Sequence, residues 1–413
     1  MNIAVFHPGT QHSWQTALAL QQLGQLAWYA TSIFYQPDRF PYRLERLLPE
    51  PLASRLHHEF GRFSHPALDP ALVRTAGLAE WAERLLARAG WRSLAKRIDR
   101  AGNRRFVAAL ASDIRSATPF SLWGYSGSAR STFELAQQYG RSCILDRTNG
   151  DFRIYNAMMA QVRERYAAWF LPSEERVPER IIEDDAQEYR LADTILVGSE
   201  FAATTIRSAE RDPVIDARLR VLNYCYDEQL FAACPSPQPV DRTRPVRFLW
   251  MGLVIPRKGI QHVLEAIAMI PPSAAQLTIV GDMKLPRDIF ARYRDRVTYL
   301  PTVPRSAVPA IMADHHVLLL PSHFEGAGIT LYEGLAAGCA LIQSDRCALA
   351  VTPQTGVQIG APGTAAVHAA MMEAIEDRDR LDGWRAAAQA SARAYSFANY
   401  RNNIRQLLTD IGI

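Results

Sequence analysis

Cysteine is scarce in this chain of 413 residues, and long apolar runs are missing. The five cysteines are scattered, and no two of them form a CxxC pair. We therefore expect neither a disulfide framework nor a zinc site, and a reducing cytoplasm is favoured. No stretch of about 18 apolar residues is present, so we expect no membrane-spanning helix. The N-terminus lacks a basic region before an apolar core, so residues 1–9 are expected to begin a first strand and not a signal peptide.

Lysine is also rare, since Lys96, Lys258 and Lys284 are the only three lysines among 46 basic residues. This bias towards arginine is typical of a GC-rich genome, and we expect a bacterial source. Apolar residues make up 48% of the chain and charged residues 21%, which indicates a soluble globular protein. A length of 413 residues favours two domains. We expect no nucleic-acid partner.

The positive charge is concentrated in residues 36–106, where 14 Lys and Arg stand against 8 Asp and Glu. The rest of the chain therefore carries about −2. Within this segment, residues 78–98 have apolar side chains at helical spacing, with arginines largely off the apolar stripe. Such a helix packs on its own domain or rests on an anionic membrane surface, and the composition leaves both alternatives open. Peripheral contact with the inner face of the membrane is the second of these.

Strands alternate with helical patterns in both halves of the chain, which predicts two doubly wound parallel sheets. Four prolines lie between residues 234 and 245, and this segment is the predicted linker. The predicted fold class is α/β, with an N-terminal Rossmann-like domain over 1–235 and a second over 246–392. A single C-terminal helix is predicted over 386–408, because five apolar or aromatic side chains recur there at helical spacing.

Two loops of the first domain follow predicted strands, where open α/β sheets bind ligands. The first contains Gly9 and His12 after a strand over residues 2–6. The second, residues 147–151, contains Asn149. A further acidic run, Glu183–Asp184–Asp185, is interpreted as a solvated helix face, because consecutive helical residues point about 100° apart and do not converge on one ion.

The most informative stretch is residues 317–337, which read as a strand, a glycine loop and a helix. This order directs free backbone N–H groups at an anion, and Gly326 and Gly328 allow close approach of a phosphate. Glu325 and Glu333 are eight residues apart, about two helical turns, so both carboxylates are expected on one side. A second loop, after the first strand of the second domain, places two cations before a helix: Gly252 is followed by Arg257 and Lys258.

These motifs resemble those of the retaining glycosyltransferases of family four, which have the GT-B fold. Glu325 and Glu333 stand in an E-x7-E motif, continued by a glycine-containing helix over 333–338, and Gly252 to Gly259 resembles the family's phosphate loop. Residues 191–199 and 223–231 are similar to the family's segments before the linker. The resemblance spans about residues 180–345. It implies two Rossmann-like domains facing a cleft, with residues 393–413 returning to the first domain.

The resemblance also implies roles for matched residues. Glu325 would hold hydroxyls of the donor sugar, and Glu333 would bind the ribose. The diphosphate would lie against Gly252, Arg257, Lys258 and the backbone amides of Gly326, Ala327, Gly328 and Ile329. The base would rest against residues 299–304, which include Tyr299 and Val303. The chain departs from the family in having Leu253 where an arginine is usual, so either Arg257 compensates or diphosphate binding is weaker. Where the first domain usually offers a histidine, the candidates are Asn149, Asp151 and His12.

The predicted function is therefore transfer of a sugar, with retained configuration, from a nucleotide diphosphate such as a UDP- or GDP-sugar to a hydroxyl group. No metal or other cofactor is expected, because helix N-terminus and cations neutralise the leaving group. The expected acceptor is a glycan, a lipid-linked intermediate of polysaccharide biosynthesis or a small molecule. Two alternatives remain: a GT-B nucleotide-sugar epimerase, and a non-catalytic protein that binds nucleotide sugars.

Overall fold

A computed structural model of the protein contains two parallel β-sheets flanked by helices, which confirms the predicted fold class. It describes residues 1–413 except 10–11, 39–41, 62, 64, 76–105 and 173–175. The predicted basic helix over 78–98 lies outside the described residues. Among the described residues, no helix is both long and apolar enough to cross a bilayer.

The first sheet has seven strands in the order β3-β2-β1-β4-β5-β6-β7. The pairings of β1 with β2 and β4, of β2 with β3 and of β4 with β5 are parallel. Strand β4 is buried along its whole length, as expected for a parallel sheet covered on both faces. The strands are β1 Asn2–Phe6, β2 Leu26–Thr31, β3 Val73–Thr75, β4 Phe120–Tyr125, β5 Cys143–Arg147, β6 Thr194–Val197 and β7 Leu219–Val221.

The second sheet has six strands in the order β10-β9-β8-β11-β12-β13. From β8, the chain moves outward through β9 and β10 and then returns to the other side of β8 as β11. The strand order therefore reverses between β8 and β11, which is the switch point where open α/β sheets bind ligands. The strands are β8 Val246–Met251, β9 Ala275–Val280, β10 Val297–Leu300, β11 Val317–Leu320, β12 Ala340–Ser344 and β13 Gly356–Ile359.

Helices connect the strands of both sheets, in the alternation that parallel strands require. The helices that the structure describes are Ser13–Gln22, Glu50–Gly61, 106–114, Arg130–Gln138, Phe152–Arg165, Glu179–Leu191, Glu200–Glu210, Pro213–Arg218, Glu228–Phe231, Ile260–Met269, Arg287–Ala291, Val308–Ala313, Ile329–Ala336, Thr364–Glu376, Arg378–Ala392 and Phe397–Asp410.

The residues group into two compact units by their contacts. The first unit comprises residues 1–147, 183–196 and 401–413, and the second comprises 148–182 and 197–400. The predicted domain boundaries stay a prediction.

The core of the second unit lies on both faces of its sheet, because side chains alternate along each strand. On β8, Phe248 and Trp250 belong to one buried cluster, and Leu249 and Met251 belong to the other. Burying a side chain of this size stabilises the fold by about 1.5–3 kcal/mol. The two-sided burial explains why β8 reads as a continuous apolar run after Arg247.

The structure differs from the sequence predictions at three places. Strands β2 and β3 were not predicted. The predicted helix over 386–408 is wrong, because a 3₁₀ turn, Arg393–Tyr395, and extended Ser396 separate two helices there. The interpretation of the acidic run is wrong for Asp185, which is 3% exposed and has Oδ2 2.8 Å from Nη1 of Arg147. Its neighbour Asp184 points elsewhere and pairs with Arg130, as helical geometry requires.

Gly281 should be intolerant of substitution, because its φ is +148° and an added Cβ would lie 1.9 Å from the carbonyl oxygen of Gly252. We expect Gly281→Ala to lower the free energy of unfolding by about 1–3 kcal/mol or more. Gly360→Ala is the control, since nothing lies within 4 Å of its added Cβ. Urea unfolding measures both variants. Equal stability of the two variants would contradict the close approach of the backbone at Gly281 to the carbonyl oxygen of Gly252.

Candidate active site

Two loops meet at the switch point of the second sheet. One follows β8 and contains Gly252, and the other follows β11 and runs from Pro321 to Gly328. Strands β8 and β11 are neighbours, with Val317 opposite Phe248 and Leu318 opposite Leu249. Their carboxyl ends therefore lie side by side, and the sheet brings together side chains that are about 70 residues apart in the chain.

Glycines allow these loops to approach each other. Gly259 has φ +80°, and an added Cβ would lie 2.0 Å from the carbonyl oxygen of Pro321. The backbone N–H of His323 donates to the carbonyl oxygen of Arg257 at 2.8 Å, which ties the loops together. Gly328, with φ +88°, begins the helix Ile329–Ala336, and no side chain caps that helix. The positive end of the helix dipole is therefore left for another partner.

Glu325 is the centre of the site. It is 8% exposed, and its carboxylate receives a charge-assisted hydrogen bond from Nζ of Lys258. Nη1 of Arg257 lies 3.1 Å from the same oxygen, Oε1. Burial alone would raise the pKa of Glu325, but the charges and hydrogen bonds of Arg257 and Lys258 outweigh it and hold the pKa below its usual value. The carboxylate is therefore ionised at neutral pH.

The loop around Glu325 is held by hydrogen bonds that do not involve its carboxylate. The backbone N–H of Glu325 donates to the carbonyl oxygen of Arg346 at 3.0 Å, and the N–H of Ala348 donates to the carbonyl oxygen of Ala327 at 2.8 Å. The hydroxyl of Ser344 donates to the carbonyl oxygen of Ser322 at 2.6 Å. The loop is thus fixed by its backbone, and the carboxylate is free to change partners.

Two buried histidines meet at the same loop, and one of them, His323, belongs to it. Nε2 of His323 lies 3.0 Å from Nε2 of His262. Burial lowers the pKa of His262 to about 3 and that of His323 to about 4. Both rings are therefore neutral at physiological pH, and one donates to the other. The described part of the chain holds no group of three or more His, Cys, Asp and Glu side chains arranged for a metal ion.

Glu333 lies about one turn into the helix Ile329–Ala336 that follows the loop. It is 6% exposed, and Nη2 of Arg305 donates to its Oε1. Arg305 is not predictable from the sequence, because it lies 28 residues before Glu333 and no spacing connects them. Arg305 follows the segment predicted to hold the base. In that segment, the hydroxyl of Tyr299 donates to the carbonyl oxygen of Gly281 at 3.0 Å, and Val303 packs beside the core.

The second unit also brings Asn149 to the glycine loop. A Cβ added to Gly326 would lie 1.9 Å from the carbonyl oxygen of Thr148 and 3.0 Å from Cα of Asn149. The hydroxyl of Ser199 donates to the carbonyl oxygen of Gly326 at 2.6 Å. The side chain of Asn149 is exposed. Asn149 therefore stands beside the loop that carries Glu325.

The other two candidates, Gly9 and His12, lie in the first unit. His12 immediately precedes the helix Ser13–Gln22, and the carbonyl oxygen of Gly9 accepts a hydrogen bond from the hydroxyl of Thr31 at 3.1 Å. Their predicted roles stay predictions.

Comparison with known proteins identifies the domain that carries this site. Residues 237–391 match the model of the family glycosyl transferases group 1. The O-antigen chain mannosyltransferase B of Escherichia coli is 26% identical over 162 residues, which is 36% of this chain and 42% of that protein. A protein of the cps region of Klebsiella pneumoniae is 27% identical over 105 residues, 25% of this chain and 29% of that protein. The matched segments thus cover less than half of the curated relatives.

Solved structures match the whole chain. Sucrose-phosphate synthase from Thermosynechococcus elongatus superposes with a TM-score of 0.66 and 16% identity, covering 100% of this chain and 99% of that one. Anabaena HepE in complex with UDP superposes with a TM-score of 0.61 and 12% identity, covering 99% and 100%. Residues 237–391 are therefore similar to a glycosyl transferases group 1 domain, and the chain has the GT-B fold.

The lowered pKa of Glu325 makes its stabilising effect depend on pH. The contribution of a carboxylate whose folded-state pKa is depressed is fully present above its unfolded-state value, about 4.3, and is lost as pH falls through the lower folded-state value. We expect Glu325→Gln to be less stable than wild type by on the order of 2 kcal/mol at pH 7. The difference in the free energy of unfolding between Glu325→Gln and wild type should decrease below pH ~4.

Chemical denaturation at several pH values measures this difference. Exposed Glu376→Gln is the control and should show no such dependence. A gap for Glu325→Gln that stays constant down to pH ~3 would contradict the ion-paired state of Glu325.

Proposed function

We propose that this chain is a retaining glycosyltransferase that moves a sugar from a nucleotide diphosphate to an acceptor hydroxyl without a metal ion. The observation that carries the proposal is the buried Glu325, ion-paired with Lys258 and Arg257 at the carboxyl ends of two neighbouring strands. The group 1 family domain over residues 237–391 supports it.

The donor diphosphate binds where two cations and an uncapped helix N-terminus converge. The side chains of Lys258 and Arg257 are 14% and 21% exposed. The backbone N–H groups from Gly326 to Ile329 lie at the N-terminal end of the helix Ile329–Ala336. A diphosphate offers these cations several anionic oxygens and competes with Glu325 for them. Once released from the cations, the Glu325 carboxylate accepts hydrogen bonds from hydroxyls of the donor sugar. Arg257 thereby takes the place of the arginine that the family carries at Leu253.

The nucleoside binds beside Glu333. The Glu333 carboxylate exchanges its bond from Arg305 for bonds from the two ribose hydroxyls. The side chain of Arg305 is about half exposed, so moving it fully into water costs little free energy. The base rests against the segment from Tyr299 to Val303, at the end of strand β10.

The transfer exchanges two bonds at the anomeric carbon. The bond from this carbon to the diphosphate oxygen breaks, and a bond to the acceptor oxygen forms on the same face of the sugar. The acceptor proton passes to a departing phosphate oxygen. Lys258, Arg257 and the helix N-terminus stabilise the negative charge that develops on the diphosphate, as a metal ion does in other transferases. Asn149, beside Gly326, is in reach of the sugar, and Gly9 and His12 are proposed to act from the first unit.

The relatives support a bacterial glycan pathway. One is an O-antigen chain mannosyltransferase of Escherichia coli, and Anabaena HepE has been solved with UDP-glucose. We accordingly place this chain in the bacterial cytoplasm, with a UDP- or GDP-sugar as donor and a glycan or lipid-linked intermediate of polysaccharide biosynthesis as acceptor. Contact with the inner membrane face through residues 36–106 belongs to the same proposal, although about half of that segment, including residues 78–98, lies outside the described residues.

Anomeric stereochemistry and metal dependence test this function together. Incubation with a panel of UDP- and GDP-sugars and with glycan and lipid-linked acceptors should release nucleotide diphosphate. Proton NMR of the product should show the anomeric configuration of the donor, and excess EDTA should leave the rate unchanged. Inversion would refute retention, and loss of activity with EDTA that Mg²⁺ restores would refute metal independence.

The two alternative functions predict different outcomes in the same assay. An epimerase changes the sugar without any acceptor. A non-catalytic binding protein is stabilised by a nucleotide sugar in thermal-shift measurements, but it releases no nucleotide with any acceptor in the panel. Either result would overturn the transferase proposal.

The two carboxylates should fail in different ways when neutralised. Glu325→Gln should lower kcat by about 10²-fold or more and change donor affinity by less than about tenfold, because Glu325 acts at the reacting sugar. Glu333→Gln should weaken donor affinity by about tenfold and leave kcat within a few-fold, because ribose contacts persist through the reaction.

Both variants must be assayed at a temperature at which circular dichroism shows them folded, since Glu325→Gln is expected to be less stable. Equal losses of kcat in the two variants would contradict the division of roles. Normal turnover by Glu325→Gln would remove Glu325 from the reaction.

A further inference from the structure

A cavity of about 330 Å³ lies in the second unit beneath the proline-rich segment 235–239. Its wall includes Arg247 on β8, His316 just before β11, and Arg385 on the helix Arg378–Ala392. Arg247 is near the amino end of β8, whereas the glycine loops follow its carboxyl end. A strand of six residues is about 20 Å long, so the cavity and the proposed donor site lie at opposite edges of the sheet.

Arg385 is a buried charge with few partners. The residue is 6% exposed, and its Nη1 donates to the carbonyl oxygen of Gln238. Among the residues that the structure describes, Nε of Arg385 has no hydrogen-bond partner, and none of the ion pairs includes this side chain. Burial lowers the pKa of Arg385, and the charge of Asp382 only partly offsets this. Asp382 is itself occupied, because it accepts from the N–H of Val240 at 2.8 Å and from Arg242 at 2.9 Å.

Two further guanidinium groups line the cavity, and each has a carboxylate nearby. Nη2 of Arg247 lies 3.5 Å from Oδ1 of Asp314, and its Nε donates to the carbonyl oxygen of the same residue. Nε of Arg244 lies 3.4 Å from Oδ2 of Asp241, which also lines the cavity. Both contacts between charged groups are loose, since a strong charge-assisted hydrogen bond measures about 2.7–2.9 Å. These arginines keep donors available for a ligand.

His316 adds a neutral donor to the same wall. Its Nδ1 accepts the backbone N–H of Arg247 at 3.1 Å, so the ring proton is on Nε2. Burial, followed by the charges of Arg385, Arg247 and Arg378, lowers the pKa of His316 to about 3. The ring therefore stays neutral at physiological pH and adds no positive charge to the three arginines.

We propose that this cavity is a second anion site, which binds a small phosphate-bearing ligand between Arg385, Arg247 and Arg244. Planar guanidinium groups match the oxygens of a phosphate, and three of them around one cavity offer more charge than Asp241 and Asp314 neutralise. The volume is enough for inorganic phosphate or for a sugar phosphate, at the small end of ligand pockets. Nothing in the proposed transfer reaction uses these side chains.

Isothermal titration with inorganic phosphate and, separately, with a hexose phosphate tests the proposal on the full chain. The proposed donor site also attracts phosphate, so each titration is repeated with Lys258→Gln. We expect the cavity to bind one phosphate ligand per chain, and we expect the Lys258→Gln variant to retain this binding. Arg385→Met and Arg247→Gln should weaken it by about tenfold or more, the usual effect of removing a hydrogen bond to a charged group. Exposed Arg287→Gln, which does not line the cavity, is the matched control and should bind as wild type does.

Tighter binding of the hexose phosphate would identify an organic phosphate as the ligand, and equal or weaker binding would identify inorganic phosphate. If Arg385→Met does not fold, Arg247→Gln carries the test, because its side chain is about one-third exposed. Absence of binding to wild type overturns the proposal. So does binding that Lys258→Gln abolishes, or affinity that is unchanged in folded Arg385→Met and Arg247→Gln.

Discussion

The ion pairs of Glu325 with Lys258 and Arg257 join the two loops at the switch point of the second unit and depend on the arrangement of the sheet beneath them. Burying a carboxylate is costly unless opposite charges and hydrogen bonds accompany it. Here both cations come from a loop that lies about 70 residues earlier in the chain. They reach Glu325 only because β8 and β11 are neighbours and because Gly259 lets the loop backbone pass against Pro321. The parallel order of the sheet, the loop glycines and the ionised state of Glu325 are thus parts of one constraint.

The opposite edge of the same sheet shows what happens without such a carboxylate. Arg385 is as buried as Glu325 but has a carbonyl oxygen in place of a counter-ion. Asp382, the carboxylate that acts on it, is held by Arg242 and by the backbone of Val240. One edge of the sheet therefore has its charges matched within the protein, and the other carries a positive charge that a mobile anion can match. This difference, and not the number of arginines, distinguishes the two sites chemically.

Much of this arrangement follows from short-range sequence patterns. Apolar runs predicted the strands of the second sheet, and the spacing of Glu325 and Glu333 placed both on one loop and helix. Arg305 and Arg385 escaped prediction, because each meets its partner only after distant segments have folded together. The break at Ser396 escaped because a 3₁₀ turn preserves a nearly helical spacing of apolar residues. Asp185 was misassigned since adjacent acidic residues look alike in a sequence, although only one of them faces Arg147.

The ion pairs of Glu325 and Glu333 also bear on what the proposed binding of a donor would cost. Each carboxylate holds a cation, so neither loop exposes unmatched charge. A nucleotide diphosphate brings both phosphate oxygens for the cations and hydroxyl groups for the carboxylates. In the proposed complex, the cations and the carboxylates would exchange partners without leaving a buried charge uncompensated, which would keep the desolvation cost low. A neutral residue at position 325 would remove this exchange, and Lys258 and Arg257 would lose their partner in the empty site.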